Sequence, residues 1–385
     1  MRVLVVPKWY PWSDRPVFGI FCREQARAVA RRHDVVVLAS EALSKPGFAG
    51  FTLGDEIEEG LRTIRLRYRR PRLRPAAMGF QIAGMLSALG RLRAEGWEPD
   101  IIHAHVYSAG LPAVLLGRRS AAPVIVSEHY TGFQRGLITG SDRFTARLAF
   151  RHADLVAPVS EPLAAEVRAL APAARIRVID NVVDTEVFHP PVRPPSRPPP
   201  ARLLTVAALA AKKGHPHLLK ALAIVAPRRE VTLDLVGEGE QRGELEARVR
   251  ELGLTGMVRF RGELPKAGVA ALMRQSHLFV LPSLFENLPC VLIEAMASGL
   301  PSVATAVGGV PDLLADGAGR LCAPGNSAAL AQAISGALDA LPNFDRGRMA
   351  ARAQARFGYE ALGRRWSEIY EELASSTGRT RRSSV

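Results

Sequence analysis

The sequence is poor in cysteine and has no long apolar run, which excludes several classes of protein. The three cysteines, Cys22, Cys290 and Cys322, lie far apart in a chain of 385 residues. Their number and spacing predict neither a disulfide framework nor a zinc site, and they are typical of a cytoplasmic protein. No apolar stretch reaches the roughly 20 residues that a membrane-spanning helix needs. The apolar run at residues 3–6 is too short for a signal peptide, so we expect it to be the first β-strand.

The motifs of two common classes of ligand are absent as well. No GxGxxG follows the first predicted strand, so a dinucleotide cofactor is not predicted. No Asp-x-Asp pair occurs, and we expect neither a required Mg²⁺ or Mn²⁺ ion nor any other cofactor. Aromatic residues make up only 6% of the chain and few lie near its most basic stretch, which argues against a nucleic-acid partner.

What the sequence has in excess is positive charge. Lysine and arginine number 51 against 37 acidic residues, which gives a net charge of +14. Such a balance favours acidic partners, namely an anionic membrane, phosphorylated substrates or nucleic acid. The alternative is compositional, because a GC-rich genome enriches arginine and alanine.

The order of predicted elements indicates two α/β domains. The chain is too long for one ordinary core, and short β-branched runs alternate with helical segments, which predicts two Rossmann-like sheets. The proline-rich segment HPPVRPPSRPPP at residues 189–200 is the clearest boundary. We therefore expect an N-terminal domain at 1–188, this linker, and a C-terminal domain at 201–358. A last helix and a basic tail at 359–385 are expected to pack back on the first domain.

The segment LPSLFENLPCVLIEAMASGLPSVAT, residues 281–305, is the most informative part of the chain. It predicts a strand, a loop, a helix and a second strand. Pro289 suits the first helical position, while Gly299 and Pro301 end the helix. Ligands bind at such carboxyl edges of parallel strands, and two facing edges would form a cleft between the domains.

Two glutamates in this segment point to a sugar nucleotide. Glu286 lies in the loop and Glu294 in the otherwise apolar helix, although glutamates are seldom buried without a partner. The free N–H groups and positive dipole end of the helix attract a phosphate, and the carboxylates accept hydrogen bonds from hydroxyls. For the glutamates by themselves, a solvated loop residue and a structural ion pair with arginine are an equal alternative.

Four further residues lie where a ligand is expected. Lys213 is in the first strand-to-helix loop of the second domain, where an ammonium group can meet a phosphate. Gly237 ends a strand at the same edge, and Gly19 lies in the first loop of the chain; both allow close backbone approach. His129 follows a strand of the first domain at its carboxyl end. For each of them, an ordinary turn or a structural hydrogen bond is the alternative.

The most basic stretch is LRTIRLRYRRPRLR, residues 61–74, with seven arginines. Its first half alternates like a strand with one solvated face. The second half predicts a basic loop before a helix, and two interpretations have equal weight. The loop contacts an anionic membrane surface or a lipid phosphate, or it is a solvated cationic face. The residues concerned are Arg69, Arg70, Arg72 and Arg74.

Taken together, these motifs resemble the retaining glycosyltransferases of family four, which have the GT-B fold of two Rossmann-like domains facing across a cleft. The resemblance covers nearly the whole chain, and its most specific parts are FENLPCVLIEAMASGLPSVAT, VGEGEQRGELE, VRFRGEL, VGGVPDLL and the KKG after a strand. YPWSDRPVFGIFCREQA, SEHYTGF and VIDNVVDTEVF support it. Three places depart from the family pattern: Ala207 and Ala208 replace Gly-Arg, residues 181–184 read NVVD, and the first loop has one glycine.

The resemblance implies a role for each candidate residue. Glu294 would bind the ribose hydroxyls, Glu286 the transferred sugar and Lys213 the diphosphate. His129 would reach the donor sugar, so Glu286, His129 and Lys213 are the implied catalytic residues. The remaining donor-binding positions are implied to act chiefly through backbone and close approach: Gly19, Gly237, Phe260 beside the base, and Asn287, Leu288 and Pro289 at the diphosphate.

The implied activity is transfer of a sugar from a nucleoside diphosphate sugar to a hydroxyl group, with retention at the anomeric carbon and without a metal ion. The acceptor would be a saccharide or a polyprenyl- or lipid-linked molecule in bacterial surface polysaccharide or glycolipid synthesis. The expected location is the cytoplasm, with a peripheral place on the inner face of the membrane if the basic loop binds lipid. The alternatives are another GT-B enzyme, such as an epimerase, and a non-catalytic nucleotide-sugar-binding protein.

Overall fold

The computed structural model describes residues 1–43, 50–69, 74–193, 195 and 199–376. The chain forms two compact units. The first comprises Met1–Asp180 together with the C-terminal segment from Tyr359, and the second comprises Asn181–Gly358. The N-terminal segment of the first unit thus ends at Asp180, eight residues before the boundary predicted at residue 188. Within the described residues, no helix has the length and apolar character to cross a membrane.

The first unit is built on a seven-stranded sheet of the described residues, in the order β3-β4-β2-β1-β5-β6-β7. Neighbouring strands are parallel, except that β3 runs antiparallel to β4. The strands are β1 (Arg2–Pro7), β2 (Asp34–Leu43), β3 (Phe51–Glu58), β4 (Leu61–Arg69), β5 (Ile101–His105), β6 (Val124–Glu128) and β7 (Leu155–Pro158).

The second unit contains a six-stranded parallel sheet of the described residues, in the order β10-β9-β8-β11-β12-β13. Its inner strands are buried apolar runs, as expected where helices cover both faces of a parallel sheet. The strands are β8 (Ala201–Val206), β9 (Val231–Val236), β10 (Val258–Gly262), β11 (Leu278–Leu281), β12 (Ser302–Thr305) and β13 (Gly319–Cys322).

Helices follow most strands and pack on the two sheets. The described α-helices are α1 (Ile20–Ala30), α2 (Arg74–Ala94), α3 (Tyr107–Ser120), α4 (Gly140–His152), α5 (Glu161–Leu170), α6 (His215–Val225), α7 (Arg242–Glu251), α8 (Lys266–Gln275), α9 (Cys290–Ala297), α10 (Val310–Leu314), α11 (Ser327–Asp339), α12 (Arg346–Phe357) and α13 (Tyr359–Ser376). Short 3-10 helices occupy Ala211–Lys213 and Leu341–Asn343.

Helix α13 returns to the first unit and packs on α1. A Cβ atom on Gly363 would lie 2.8 Å from the Ala28 carbonyl oxygen, so glycine lets the two helices approach closely. Trp366 and Tyr370, on the same helix α13, are fully buried. The Tyr359 hydroxyl donates a hydrogen bond to buried Glu24.

In each sheet, the direction in which the chain adds successive strands reverses at one pair of neighbouring strands. In the first unit the chain winds from β1 to β2 on one side and then crosses to β5 on the other. In the second unit the same change occurs between β8 and β11. The loops that follow these strands diverge, which leaves a crevice at the carboxyl edge where ligands of α/β sheets bind.

Three expectations about the elements were wrong. The edge strands β3 and β13 were not predicted, because β3 is rich in acidic residues and β13 is short and begins with glycine. The segment at residues 175–179 predicts a strand after β7, but it forms only one bridge, between Val156 and Ile176. Pro289 is the residue before α9 and not its first residue.

The solvated face predicted for β4 was right at exposed Arg67 but wrong at its other two positions. Thr63 and Arg65 are buried, because Arg65 forms an ion pair with Glu58, donates to the Pro11 carbonyl at 2.7 Å and lies 4.2 Å from the Trp12 ring. Arg62 forms ion pairs with Asp55 and Glu95. Arg67 lies 3.8 Å from Glu41. Arg62 and Arg65 therefore make internal ion pairs, while Arg67 remains exposed.

The residues predicted to touch a membrane are only partly described. Arg69 is exposed at the end of β4. Arg70 and Arg72 lie outside the described residues, and Arg74 begins α2 without a described side chain. Contact with an anionic surface therefore stays a prediction.

Candidate active site

An ion pair joins the two loops that follow β8 and β11. The Lys213 ammonium group lies 2.6 Å from Oε1 of Glu286, although 73 residues separate them in the chain. The Ser283 hydroxyl donates to the same oxygen at 2.7 Å. Glu286 is only 6% exposed, so its charge has been removed from water and is compensated by these two donors. The structure thus brings together two of the predicted catalytic residues.

Backbone contacts hold the Lys213 loop against the Glu286 loop. Gly214 has a φ of +67°, and a Cβ atom there would lie 2.1 Å from the Pro282 carbonyl oxygen. The Leu284 N–H donates to the Lys212 carbonyl at 2.8 Å. Only glycine combines this left-handed backbone with such a close approach, so Gly214 fixes the position from which Lys213 reaches Glu286.

A third loop, between β12 and α10, packs on the Glu286 backbone from the other side. A Cβ atom on Gly308 would lie 1.9 Å from the Glu286 carbonyl oxygen, and the Gly309 N–H donates to Asn287 at 2.7 Å. The Thr305 hydroxyl donates to the Ser283 carbonyl. The segment that carries Glu286 is therefore held on both sides by main-chain contacts.

The N-terminus of α9 lies directly after Glu286. Pro289 occupies the position before the helix and contributes no side-chain cap, and the positive dipole end of a helix N-terminus attracts an anion. Asn181 donates from its side chain to the Leu288 carbonyl at 2.7 Å, which fixes the entry to the helix. Glu294 is half-buried on the second turn, and Gly299 ends the helix as predicted with a φ of +63°.

His215 supports the Lys213 loop from beneath. It is fully buried at the start of α6, and its Nε2 lies 3.1 Å from the Ala208 carbonyl oxygen. Burial lowers the pKa of His215 to about 4, so the ring is neutral at physiological pH and Nε2 carries the proton that it donates to this carbonyl. Ala208 itself is exposed at the edge of the sheet.

Two further predicted donor-binding residues occupy the neighbouring strands. A Cβ atom on Gly237, whose φ is +134°, would lie 2.0 Å from the Ala207 carbonyl oxygen. The glycine thus permits close packing between two loops of the protein. Phe260 packs against the second-unit core under the guanidinium of Arg242, 4.7 Å away. At the sheet edge it is Gly262 that accepts from the Gly237 N–H, so a place for Phe260 beside the base stays a prediction.

Three histidines form a row at the carboxyl edge of the first sheet. The rings of His103 and His105 stack at 4.5 Å, and those of His105 and His129 at 5.4 Å. Nδ1 of His105 lies 3.2 Å from Nε2 of His129. Burial lowers the pKa of His103 to about 3 and that of His105 well below its ordinary value, so both rings are neutral supports. Half-buried His129 is the outermost of the three.

Glu128 is a fully buried carboxylate that organises the same edge. It accepts backbone N–H groups from Tyr107, His129 and Tyr130, each at 2.8 Å. It therefore ties the N-terminus of α3 to the loop that carries His129. Val106, beside Tyr107, has a φ of +74°, which is strained for a β-branched residue. Burial raises the pKa of Glu128 to about 7, an effect partly offset by the three N–H donors.

Gly19 serves the protein backbone in this structure. Its φ is +71°, and a Cβ atom would lie 2.3 Å from the Trp9 carbonyl carbon. The glycine thus lets the loop after β1 fold back on Trp9, and its proximity to a ligand stays a prediction.

Three residues of these two edges escaped the sequence analysis: Ser283, His215 and Glu128. Of these only Glu128 gave a local signal, since a glutamate at the end of an apolar strand requires a partner.

Comparisons with known proteins agree with this architecture. The family model described as Glycosyltransferase Family 4 matches residues 19–187, and the model described as Glycosyl transferases group 1 matches residues 192–355. The chain is 30% identical to the glycogen synthase of Mycobacterium tuberculosis, over 98% of this chain and 96% of that protein. The chain belongs to the group 1, family 4 type of glycosyltransferases.

Solved structures show the same fold for this glycosyltransferase. Sucrose-phosphate synthase from Thermosynechococcus elongatus superimposes with a TM-score of 0.77 at 21% identity, covering 98% of this chain and 100% of that one. Anabaena HepE in complex with UDP and glucose gives 0.75 at 19% identity, covering 97% and 100%. The fold is therefore GT-B, with two Rossmann-like domains, as the sequence predicted.

We predict that Gly214→Ala destabilises the second unit through contact with Pro282. The matched control is Gly253→Ala, because Gly253 has nearly the same φ, +68°, with no atom within 4 Å of the added Cβ. The control should cost about 1 kcal/mol of backbone strain, and Gly214→Ala a further ~1–3 kcal/mol from the clash. Calorimetric unfolding midpoints of the two variants measure these costs. Equal midpoints would show that the contact with Pro282 does not contribute to stability.

We predict a pH-dependent stability term from Glu128. Because burial raises its pKa from 4.5 to about 7, the folded chain holds a proton that the unfolded chain releases. This stabilisation is present below pH 4.5, declines as the pH rises through 7, and corresponds to roughly 3 kcal/mol. Glu128→Gln should lack it, so the difference in unfolding free energy between wild type and variant should change by that amount across this window.

Tryptophan fluorescence in denaturant is the suitable measurement, because all four tryptophans, at positions 9, 12, 97 and 366, lie in the first unit. Exposed Glu56 provides the control Glu56→Gln. A difference between wild type and Glu128→Gln that is constant with pH would refute the assignment.

Proposed function

We propose that this glycosyltransferase moves a sugar from a nucleoside diphosphate sugar to a hydroxyl acceptor with retention of the anomeric configuration. The observation that carries the proposal is the Lys213–Glu286 ion pair beside the N-terminus of α9. A cation and the positive end of a helix dipole lie together there at the switch point of the second sheet, where a diphosphate binds favourably. The structurally similar Anabaena HepE, solved in complex with UDP and glucose, supports the same class of ligand.

In the reaction, the bond from the anomeric carbon to the β-phosphate oxygen breaks. A bond to the acceptor oxygen forms on the same face, and the acceptor proton passes to the leaving diphosphate. Negative charge develops on that diphosphate, so Lys213 and the α9 N-terminus would stabilise it electrostatically. The helix N-terminus is a fixed dipole that needs no reorganisation, whereas Lys213 would first leave its ion pair with Glu286.

Glu286 would orient the transferred sugar and would not act as a nucleophile. Both hydrogen bonds that it accepts in the described chain end on Oε1, so Oε2 can accept from a sugar hydroxyl. Glu294, half-buried on the following helix, would accept from the ribose hydroxyls. His129, at the edge of the first sheet, would reach the donor sugar, as the family resemblance implies.

Donor binding would exchange one partner of Lys213. The ammonium group is paired with Glu286, and a diphosphate would offer more negative charge in a similar place. When Lys213 turns to the phosphates, Glu286 keeps the Ser283 hydroxyl as a partner and becomes available to the sugar. The same ion pair would thus couple recognition of the phosphates to recognition of the sugar.

The acceptor and the biological setting are proposed on narrower grounds. Surface polysaccharide or glycolipid synthesis follows from the family resemblance, and an anionic membrane surface would suit the basic loop that begins at exposed Arg69. The internal partners of Arg62, Arg65 and Arg67 reduce the charge available to such a surface. We therefore place the membrane second to the nucleotide sugar as a partner.

We predict that one nucleotide among UDP, GDP and ADP, or its sugar conjugate, stabilises the protein against heat without added metal. At about 100 times Kd the stabilisation should reach ~2.7 kcal/mol. Glu294→Ala should raise the donor KM by about tenfold or more, because it removes hydrogen bonds to a charged group. Lys213→Ala should chiefly lower kcat, by roughly 10²–10³-fold.

The control Lys220→Ala removes one exposed positive charge from α6 in the same unit and should leave donor KM and kcat unchanged. A thermal shift in wild type that survives Glu294→Ala and Lys213→Ala would place the nucleotide elsewhere. If no nucleotide shifts the midpoint, the donor assignment fails. A donor that is epimerised without any acceptor would favour the epimerase alternative.

We also predict a metal-independent, retaining reaction. Activity should persist in excess EDTA, because Lys213 and the α9 N-terminus supply the positive charge that a metal ion would otherwise provide. The anomeric proton coupling of the product, measured by NMR directly after transfer, should match that of the donor. Loss of activity in EDTA with recovery on added Mg²⁺, or an inverted coupling, would overturn the corresponding half of this prediction.

A further inference from the structure

A cluster of aromatic side chains at the carboxyl edge of the first sheet has no part in the donor chemistry. The aromatic cluster consists of Trp9, Phe18, Phe21 and Tyr130. The Trp9 ring lies 6.3 Å from Phe18, 6.3 Å from Phe21 and 5.5 Å from Tyr130, between ring centroids. All three meet the indole at steep angles of 67 to 74°, so none of them stacks flat against it.

The rings of the aromatic cluster are partly exposed to solvent, whereas most large apolar side chains of this chain are buried. Phe18 is 40% exposed, and Trp9, Phe21 and Tyr130 are half-buried. The other tryptophans, Trp12, Trp97 and Trp366, are buried. An exposed group of aromatic rings in a protein with few aromatic residues is typical of a binding surface.

The fold of the β1–α1 loop builds the cluster. The left-handed backbone at Gly19 places the loop against Trp9, which brings Phe18 and Phe21 to its two sides. Beneath the loop, Trp12 is held by the guanidinium groups of Arg65 and Arg67. The cluster is thus presented by a loop that is fixed at both its turn and its base.

Charged planar side chains border the aromatic rings. The Arg15 guanidinium lies 5.4 Å from the Phe18 ring centroid and forms ion pairs with Asp14 and Glu41. Arg67 lies 3.8 Å from Glu41. Guanidinium and carboxylate groups offer paired donors or paired acceptors in one plane, which matches the spacing of neighbouring hydroxyls on a sugar ring.

We propose that the aromatic cluster and its charged border bind a sugar ring of the acceptor. The C–H face of a pyranose is apolar and packs on aromatic rings, while its hydroxyls point outward to polar groups at the rim. A lipid chain would replace the water around the exposed charges of Asp14 and Arg15 with hydrocarbon, which offers them no hydrogen-bond partner. Aromatic rings with charged side chains at their border therefore favour a saccharide over a lipid chain as the ligand.

The location of the cluster suits an acceptor of the proposed transfer, on which this inference rests. The Phe21 ring lies 4.7 Å from His129, and Tyr130 is the next residue in the chain. A sugar bound on the cluster would therefore place its hydroxyls beside the imidazole that is proposed to reach the donor sugar. The inference adds the chemical class of the acceptor and the residues that select it.

Titration with saccharides tests the proposal. The probes are glucose, galactose, mannose, N-acetylglucosamine, maltose and cellobiose, followed by tryptophan fluorescence and by saturation-transfer NMR. Because the other three tryptophans are buried, a fluorescence change reports on Trp9. At least one probe should bind, Trp9→Ala should weaken its binding about tenfold or more, and Trp9→Phe should retain binding while losing the fluorescence change.

The transfer reaction provides the second readout. With the saccharide that serves as acceptor, Trp9→Ala should raise the acceptor KM about tenfold or more and leave the donor KM and the nucleotide-induced thermal shift unchanged. The control Phe144→Ala removes an aromatic ring that is 64% exposed on α4, and it should change neither constant.

Two outcomes would overturn the inference. Either no saccharide of the panel binds to the wild type, or a bound saccharide is held equally well by Trp9→Ala. If the nucleotide shift is present in either case, only the acceptor inference fails. If the nucleotide shift is absent while a saccharide binds through Trp9, the donor proposal fails and the saccharide site stands.

Discussion

The close approach of the β8–α6 and β11–α9 loops is the constraint on which the candidate donor site depends. These loops are far apart in the chain, yet β8 and β11 are neighbours because the winding of the sheet reverses between them. The reversal sends the two following helices apart and leaves a crevice between the loops that precede them, where ligands of α/β sheets bind. Gly214 and Gly308 then allow backbone contacts that a side chain would prevent. These contacts hold the two loops at the distance at which Lys213 and Glu286 form their ion pair.

The first unit uses the same reversal between β1 and β5 but lines its edge with different chemistry. Its inner residues are His103 and His105, which burial keeps neutral, and Glu128, whose carboxylate is satisfied by backbone N–H groups. Its outer residues are aromatic. A leaving diphosphate requires fixed positive charge, whereas neutral sugar rings require apolar faces and hydroxyl partners. The two edges therefore suit the two halves of a glycosyl transfer.

Much of this architecture, but not all of it, could be predicted from local sequence. The strand–loop–helix pattern around Glu286 and the apolar runs of β9 and β11 predicted these elements because their signals are contiguous. Glu286 and Lys213 were predicted at one edge, but not their direct ion pair, which depends on strand order. Ser283 and His215 were missed because their roles follow from partners in other loops. The face of β4 was misassigned because Arg65 is buried by a distant glutamate and a tryptophan.

The ion pair also bears on selectivity for the ligand. Glu286 and Lys213 compensate each other's charge in a largely buried position, and separating them is costly unless a new partner replaces the old one. A neutral sugar cannot replace the carboxylate as partner of the ammonium group. A diphosphate can, since it carries more charge and can also accept the N–H groups of α9. The arrangement therefore favours ligands that carry phosphates and a sugar together, because only these satisfy both residues after the pair has opened.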